Sequence, residues 1–245
     1  MTNMKLQIFH KGFNYSQDGT GNRLVYHLQG CNLKCPWCSN PEGMDFALPH
    51  TEGVDIQQIK EEILGCKPMF FDGGGVTFTG GEATCQMPAL RTLLEELKKE
   101  NIHTAIETNG TSPGLPELFG LVDELIMDLK HWNAERHKAV VGMDNTQILH
   151  NMKLAFTQHP NLLVRIPLIG GFNDGAEDIE GFVNFFNAFV SSSTRFEILL
   201  YHEYGKDKWQ KCGKAYTMEN AFVSEETRTK MEQLLRQQGL TVVRT

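Results

Sequence analysis

Apolar and β-branched residues gather into six short runs: LVYHLQ (24–29), GVTFTG (75–80), HTAIET (103–108), ELIMDL (124–129), LLVRIPLI (162–169) and FEILLY (196–201). Each has the length of a strand, and their nearly continuous apolar character suits strands covered on both faces. Between the runs, apolar positions recur at helical spacing. Ile56, Ile59 and Ile63 follow Asp55, a residue suited to an N-cap; Leu90, Leu93, Leu94 and Leu97 follow Pro88, which fits a first turn; Ile179, Phe182, Val183 and Phe186 make a wide stripe. Further on, Ser224 is placed to cap, Glu225 and Glu226 suit the positive end of a helix, Met231, Leu234 and Leu235 supply an apolar face, and Gly239 supplies a stop. These stripes are expected to be core. Strand then helix, repeated, predicts an α/β chain of parallel strands with crossover helices, and six such units fit an incomplete barrel or an open sheet. No linker, low-complexity tract or internal repeat interrupts the chain, so one domain over 1–245 is expected.

The strand ends carry the polar residues. The first run leads into a cysteine loop, the second into Gly81-Glu82 and the third into Asn109-Gly110. Asp128 and Lys130 close the fourth, Asn173 and Asp174 follow the fifth, and His202 and Glu203 follow the sixth. In parallel α/β folds the C-terminal strand ends converge around the site, so these groups are expected to share a cavity.

Composition narrows the partner. A formal charge of -7 argues against nucleic acid or an anionic membrane, both of which favour a basic face. A protein or a small molecule is expected instead. The start, MTNMKLQIFHKGFNYSQ, has no apolar stretch of signal-peptide length, and no run of about 18 apolar residues appears, which predicts a cytoplasmic protein without a membrane span.

Six cysteines are present, three of them within QGCNLKCPWCSNPEG, as Cys31, Cys35 and Cys38 in a C-x3-C-x2-C run. A disulfide would leave an odd thiol and needs an oxidising compartment. Glycine and proline on both flanks make a loop, which argues against unrelated core thiols. Two metal readings remain. Structural zinc wants a fourth ligand, which Cys66, Cys85, Cys212 or a histidine could supply. A four-iron cluster takes four thiolates; three on one loop leave one iron open to an exogenous ligand.

C-x3-C-x2-C with Trp37 before the last cysteine resembles the signature of radical S-adenosylmethionine enzymes. That resemblance, and not the spacing, implies a partial (β/α)6 TIM-like barrel with outer helices, and a [4Fe-4S] cluster on Cys31, Cys35 and Cys38. It also implies S-adenosylmethionine chelated to the open iron, cleaved reductively to methionine and a 5′-deoxyadenosyl radical. Gly80-Gly81-Glu82 is similar to the motif that holds the methionine ammonium. Lys130 in MDLK resembles the lysine that meets the carboxylate, His202 the histidine near the ribose, and Arg165 in VRIPL an arginine lining the same pocket. Trp37 and Ser39, on either side of the third cysteine, are implied at the cofactor too.

DGTGNRLVYHLQGC, WCSNPEG, GGGVTFTGGEA, ETNG, MDLK and YHEYGKDKW together resemble the glycyl-radical-enzyme activating enzymes, closest to those that act on pyruvate formate-lyase. The resemblance spans nearly the whole chain. It implies a partner enzyme, pyruvate formate-lyase or a relative, from which one glycine hydrogen is abstracted; Asp18, Gly19 and Gly21 stand where the family turns a loop toward that glycine. Residues 39 to 72 contain one cysteine, so the ferredoxin-like insert of larger members is absent. One cluster is expected, in a monomer, with electrons from a flavodoxin or ferredoxin. Three residues depart from the pattern. Thr20 and Gly171 replace common prolines, which predicts looser turns. Glu107 replaces an aspartate that, with Asp128, implies a monovalent-cation site; a longer carboxylate either keeps that site or abolishes it. Cys66, Cys85 and Cys212 lack a motif and are expected to be buried thiols.

Two rivals are kept. A radical S-adenosylmethionine enzyme for a small molecule, such as a deazapurine synthase, is opposed by DGTGNR and YHEYGKDKW. A zinc-binding module without catalysis is opposed by the lack of a fourth ligand at zinc spacing.

Overall fold

The computed structural model describes residues 4–46, 53–188 and 193–245. They form two compact units, each assembled from separated stretches: the first from residues up to 32, 42–108 and 114–126, the second from 33–41, 109–113 and 127–245. Among the described residues no helix is long and apolar enough to cross a membrane.

In the first unit β1 (Lys5–Leu6) pairs antiparallel with β4 (Val54–Asp55), and β2 (Ile8–Tyr15) pairs antiparallel with β3 (Asn22–Leu28). Strand β3 then runs parallel to β5 (Gly75–Gly80), in a register that sets Leu28 opposite Gly80, and β5 runs parallel to β6 (Thr104–Thr108). Helix α1 (Ile56–Gly65) starts as its sequence predicts, with Asp55 Oδ1 accepting from Gln57 N at 2.8 Å. Helix α2 (Met87–Lys99) buries Leu90, Leu93, Leu94 and Leu97 on one face.

Strand β7 (Glu124–Asp128) has its first three residues in the first unit and its last two in the second. The second unit continues with α3 (Ala134–Val141), α4 (Thr146–Gln158), β8 (Leu162–Leu168), α5 (Ala176–Asn187), β9 (Arg195–Leu200), α6 (Lys206–Lys211), α7 (Glu225–Gln237) and β10 (Thr241–Val243). Strands β8, β9 and β10 are parallel neighbours. Phe186 of α5 meets Phe196 of β9 edge-on at 4.8 Å and Phe156 of α4 at 6.3 Å. Each such ring removed from water contributes about 1.5–3 kcal/mol. Ser224 caps α7 by accepting from Thr227 N at 3.1 Å.

The α/β class is as expected, and all six expected strands are present within two residues of their predicted bounds. The reading omitted β1, β2, β4 and β10 and the helices α3, α4 and α6. Strand β2 is antiparallel, and its residues are half-buried or exposed, so its sequence carries no apolar alternation to notice. In α4 the stripe of Ile148, Met152, Ala155 and Phe156 is masked by Asn151, which is fully buried on that side and donates from Nδ2 to Gly110 O and Ser112 O at 2.8 and 2.7 Å.

A buried histidine is expected to make the second unit pH-sensitive. His131 is fully buried, its Nδ1 accepts from Asn133 N at 3.0 Å, and Nε2 lies 3.2 Å from Asp178 Oδ1. Burial pushes the imidazole down to about 4, against the opposing pull of Asp178. The folded value lies below the unfolded one near 6.5, so on acidification the unfolded chain takes up its proton first. The stability held by the neutral ring is complete above about 6.5 and disappears toward about 4. Urea unfolding is expected to show a loss of about 1–2 kcal/mol between pH 7 and pH 5 that His131→Phe flattens. An unchanged slope in that variant contradicts the assignment.

Candidate active site

In the first unit the strand register does the assembling. Because Leu28 and Gly80 are opposite, the chain leaving β3 toward Cys31 and the chain leaving β5 into Gly81-Glu82 emerge side by side. Gly81 N donates to Leu28 O and Glu82 N to Gly30 O, both at 2.8 Å. The approach is backbone on backbone: a Cβ on Gly81 would lie 2.3 Å from Gly30 O and 2.4 Å from Gly43 O. Gly30 N and Cys31 N are bonded in turn to Gly43 O and Met44 O. Gln29 Nε2 donates to Glu42 O at 2.9 Å and to Asp45 O at 2.5 Å, closing the loop after the cysteines onto its beginning.

Glu82 is buried, and its Oε1 accepts from Thr84 N, Thr84 Oγ1 and Thr108 Oγ1 at 2.9, 2.5 and 2.7 Å, capping the short 3-10 turn at Ala83–Gln86. Glu107 Oε2 accepts from Thr79 Oγ1 at 2.9 Å. The Asp18 carboxylate accepts from Asn14 Nδ2, and its carbonyl accepts from Thr77 Oγ1 at 2.7 Å.

In the second unit, Cys35 and Cys38 close a tight turn, Cys38 N donating to Cys35 O at 3.2 Å. Cys35 is buried, and burial pushes its thiol up to about 12 despite the Lys130 ammonium, which favours the thiolate. Asn40 N points at Cys38 Sγ from 3.4 Å, a donor of the kind that steadies a metal-bound thiolate. Trp37 packs on Phe172 at 5.1 Å and on the cluster of Ile169, Phe172, Tyr201 and Ala221. Lys130, buried, donates from Nζ to Asp128 Oδ2 at 2.6 Å. Asn173, fully buried, donates to Lys130 O and Pro167 O at 2.8 Å each and accepts from Ile169 N at 2.7 Å, fixing the turn after β8. Arg165 is buried and paired with Glu197 at 2.8 Å. His202 stacks on Tyr204 at 4.1 Å, and burial lowers its pKa.

A clamp on the cysteine loop was missed by sequence reasoning. Trp209 Nε1 donates to Cys38 O at 2.8 Å, Lys208 Nζ to Asn40 Oδ1 at 2.9 Å and Lys214 Nζ to Pro41 O at 3.4 Å. Gly205 admits the loop, since a Cβ there would stand 2.5 Å from Cys38 O and 2.7 Å from Ser39 Cα. YHEYGKDKW stood out as a block, but nothing local says that it reaches back some 170 residues. Trp209→Phe keeps the ring and removes the donor, and is expected to cost about 1 kcal/mol and to lower the iron retained per chain after anaerobic reconstitution. Unchanged iron content would show that the clamp is only packing.

The departures at 20 and 171 also have structural readings. Gly171 has φ +76, which proline cannot adopt, and its N–H donates to Asp174 Oδ1 at 2.8 Å, so the turn is held and not loosened. Thr20 N donates to Glu124 Oε2 at 2.9 Å, a bond that a proline lacks. Cys66, Cys85 and Cys212 are half-buried, not buried as expected.

Among the described residues, which include all six cysteines, there is no disulfide. Nor does any group of three or more His, Cys, Asp or Glu there already stand in an arrangement that would hold a metal ion. The fit to an iron–sulfur cluster therefore rests on the donor set: three thiols within eight residues, a nearby cation for Cys35 and a backbone donor on Cys38.

Residues 25–186 match the radical SAM superfamily. The pyruvate formate-lyase-activating enzyme of Staphylococcus aureus is 34% identical over 212 residues, covering 83% of this chain and 84% of that one. Among solved structures, a domain of pyruvate-formate lyase-activating enzyme from Bacteroides vulgatus aligns with TM-score 0.58 and 27% identity, over 70% of this chain and 98% of that one. Streptococcus suis SuiB bound to its precursor peptide SuiA aligns with TM-score 0.68 and 16% identity, over 89% and 47%, which shows a shared fold. With the cysteine loop and the Gly-Gly-Glu turn joined as described, the chain belongs to the radical SAM superfamily and, within it, to the pyruvate formate-lyase-activating enzymes.

Proposed function

We propose that this chain activates a glycyl-radical enzyme, pyruvate formate-lyase or a relative, by removing one hydrogen from a glycine of that partner. Membership of the superfamily implies a [4Fe-4S] cluster and S-adenosylmethionine. When bound, the reduced cluster supplies the electron that cleaves the sulfonium and releases the 5′-deoxyadenosyl radical.

The observation that carries the reading is the backbone bonding of the Gly-Gly-Glu turn to the start of the cysteine loop, Glu82 N to Gly30 O and Gly81 N to Leu28 O. The start of the cysteine loop and a turn about 50 residues later in sequence are thereby bonded side by side. Cys31, Cys35 and Cys38 would hold the cluster, with Trp37 and Ser39 flanking it. Gly80, Gly81 and Glu82 would receive the methionine ammonium. Lys130, whose Nζ is held by Asp128 at 2.6 Å, would meet the methionine carboxylate with its remaining hydrogens. His202 would lie at the ribose. Arg165, its charge met by Glu197, would form the pocket wall. Asp18 would face the partner's glycine. Glu107 and Asp128 are the acids for a monovalent cation, tested by comparing rates in potassium and tetramethylammonium salts. The working unit is proposed as a cytoplasmic monomer, a single domain over 1–245 without a ferredoxin-like insert, taking electrons from flavodoxin or ferredoxin.

The test is to incubate the reconstituted chain with S-adenosylmethionine, reduced flavodoxin and pyruvate formate-lyase, and to look for the glycyl-radical doublet by electron paramagnetic resonance. A doublet with matching 5′-deoxyadenosine is expected. Release of 5′-deoxyadenosine with no radical on pyruvate formate-lyase or any related glycyl-radical enzyme would move the chain to the small-molecule branch.

A further inference from the structure

Arg23 is the second residue of β3, just past the turn from β2, and is fully buried. Burying a charge in a sheet is costly, and a strand wanting only stability would carry an apolar residue there. Its guanidinium is used in full: Nε donates to Thr77 Oγ1 at 2.7 Å, Nη1 to Thr20 O at 3.0 Å and Nη2 to Val76 O at 2.6 Å and His103 O at 3.4 Å, while Nη1 also stands 3.1 Å from His103 Nδ1. Thr77 Oγ1 passes its own hydrogen to Asp18 O, and Thr20 N bonds to Glu124, a buried carboxylate whose charge favours the protonated form of Arg23. Three backbone groups of the turn between β2 and β3 are thus tied to buried polar side chains.

The turn is two-sided. Gly19 and Gly21 face inward and are buried, whereas Asp18 is half-exposed and Thr20 exposed. At Gly19, with φ +116, a Cβ would crowd Glu124 Oε2 at 3.1 Å and Arg23 Cδ at 3.2 Å, so the platform and the glycine fit each other. The platform holds the turn by its main chain and leaves the side chains at 18 and 20 outward.

We infer that Arg23, with Thr77 and Glu124, is the positioning device for the partner-facing turn at Asp18–Gly21, so that it governs capture of the partner's glycine and not cleavage of S-adenosylmethionine. This rests on the activating role proposed above. In a chain built this way the proline common at position 20 is the wrong residue, because Glu124 takes the amide hydrogen that proline lacks.

Arg23→Lys and Thr20→Pro are the variants; the second alters an exposed residue and keeps the test valid if the first fails to fold. With pyruvate formate-lyase as the probe, each is expected to lower kcat/KM for glycyl-radical formation at least tenfold. The partner-free rate of 5′-deoxyadenosine formation should stay within twofold of wild type, and amide exchange at 16–22 should quicken. Partner-dependent and partner-free rates falling together, or neither moving, would overturn the inference and leave the platform a plain part of the core. A wild-type chain that makes no 5′-deoxyadenosine defeats instead the reading on which the inference rests.

Discussion

A Cys35→Ala chain is expected to take up no stable cluster and to lose 5′-deoxyadenosine formation by on the order of 10²-fold or more. That stands at or above the top of the 10–100-fold range typical of changes to groups that merely support a metal ligand. The three thiols are the only close set of soft donors in the sequence, so removing one leaves two. Cys35 is the most buried of the three, and its thiol, pushed up to about 12, carries its proton at neutral pH. Iron must displace that proton, and the Lys130 charge lowers the cost. Cluster loading should accordingly quicken from pH 7 to pH 9, read from iron and sulfide content. Cys66→Ser, Cys85→Ser and Cys212→Ser should load as wild type does; equal losses across all six positions would contradict the assignment.

Gly81→Ala has the second largest expected effect. The added Cβ meets the carbonyl oxygens of Gly30 and Gly43 at 2.3 and 2.4 Å, and both belong to backbone that cannot swing aside like a side chain. Relief requires parting the Gly-Gly-Glu turn from the cysteine loop and breaking the bonds from Gly81 N and Glu82 N. The expected cost is about 1–3 kcal/mol in urea unfolding, with affinity for S-adenosylmethionine down at least tenfold. Gly65, at the end of α1, has open space within 4 Å of where a methyl would stand, so Gly65→Ala serves as the control and should be neutral or slightly stabilising. Equal behaviour of the two variants would mean that the close approach at Gly81 has no functional weight.

The strands were legible because covered parallel strands are written as apolar runs, and the motifs because cysteine, glycine and acid must recur in fixed order at their ends. What escaped reading acts across distance. The Trp209 indole reaches Cys38, Asn151 is polar on a buried face and breaks the stripe of α4, and β2 has too little buried surface to leave a pattern. The turns at Thr20 and Gly171 show a different gap. Sequence marks the loss of a proline, whereas only the structure shows that Gly171 needs a positive φ and that the Thr20 amide has a carboxylate to bind. Arg23 sits inside a recognised segment, yet its burial and its hold on the turn are properties of three strands together.

The proposed activity depends first on the three cysteines holding a cluster whose open iron receives S-adenosylmethionine. The most direct measurement is electron paramagnetic resonance of the anaerobically reconstituted, reduced chain before and after S-adenosylmethionine is added, with 5′-deoxyadenosine followed by chromatography on the same sample. A reduced-cluster signal that changes shape on addition, followed by accumulation of 5′-deoxyadenosine, is the expected result. A chain that retains zinc, gives no cluster signal and yields no 5′-deoxyadenosine would contradict the proposed activity.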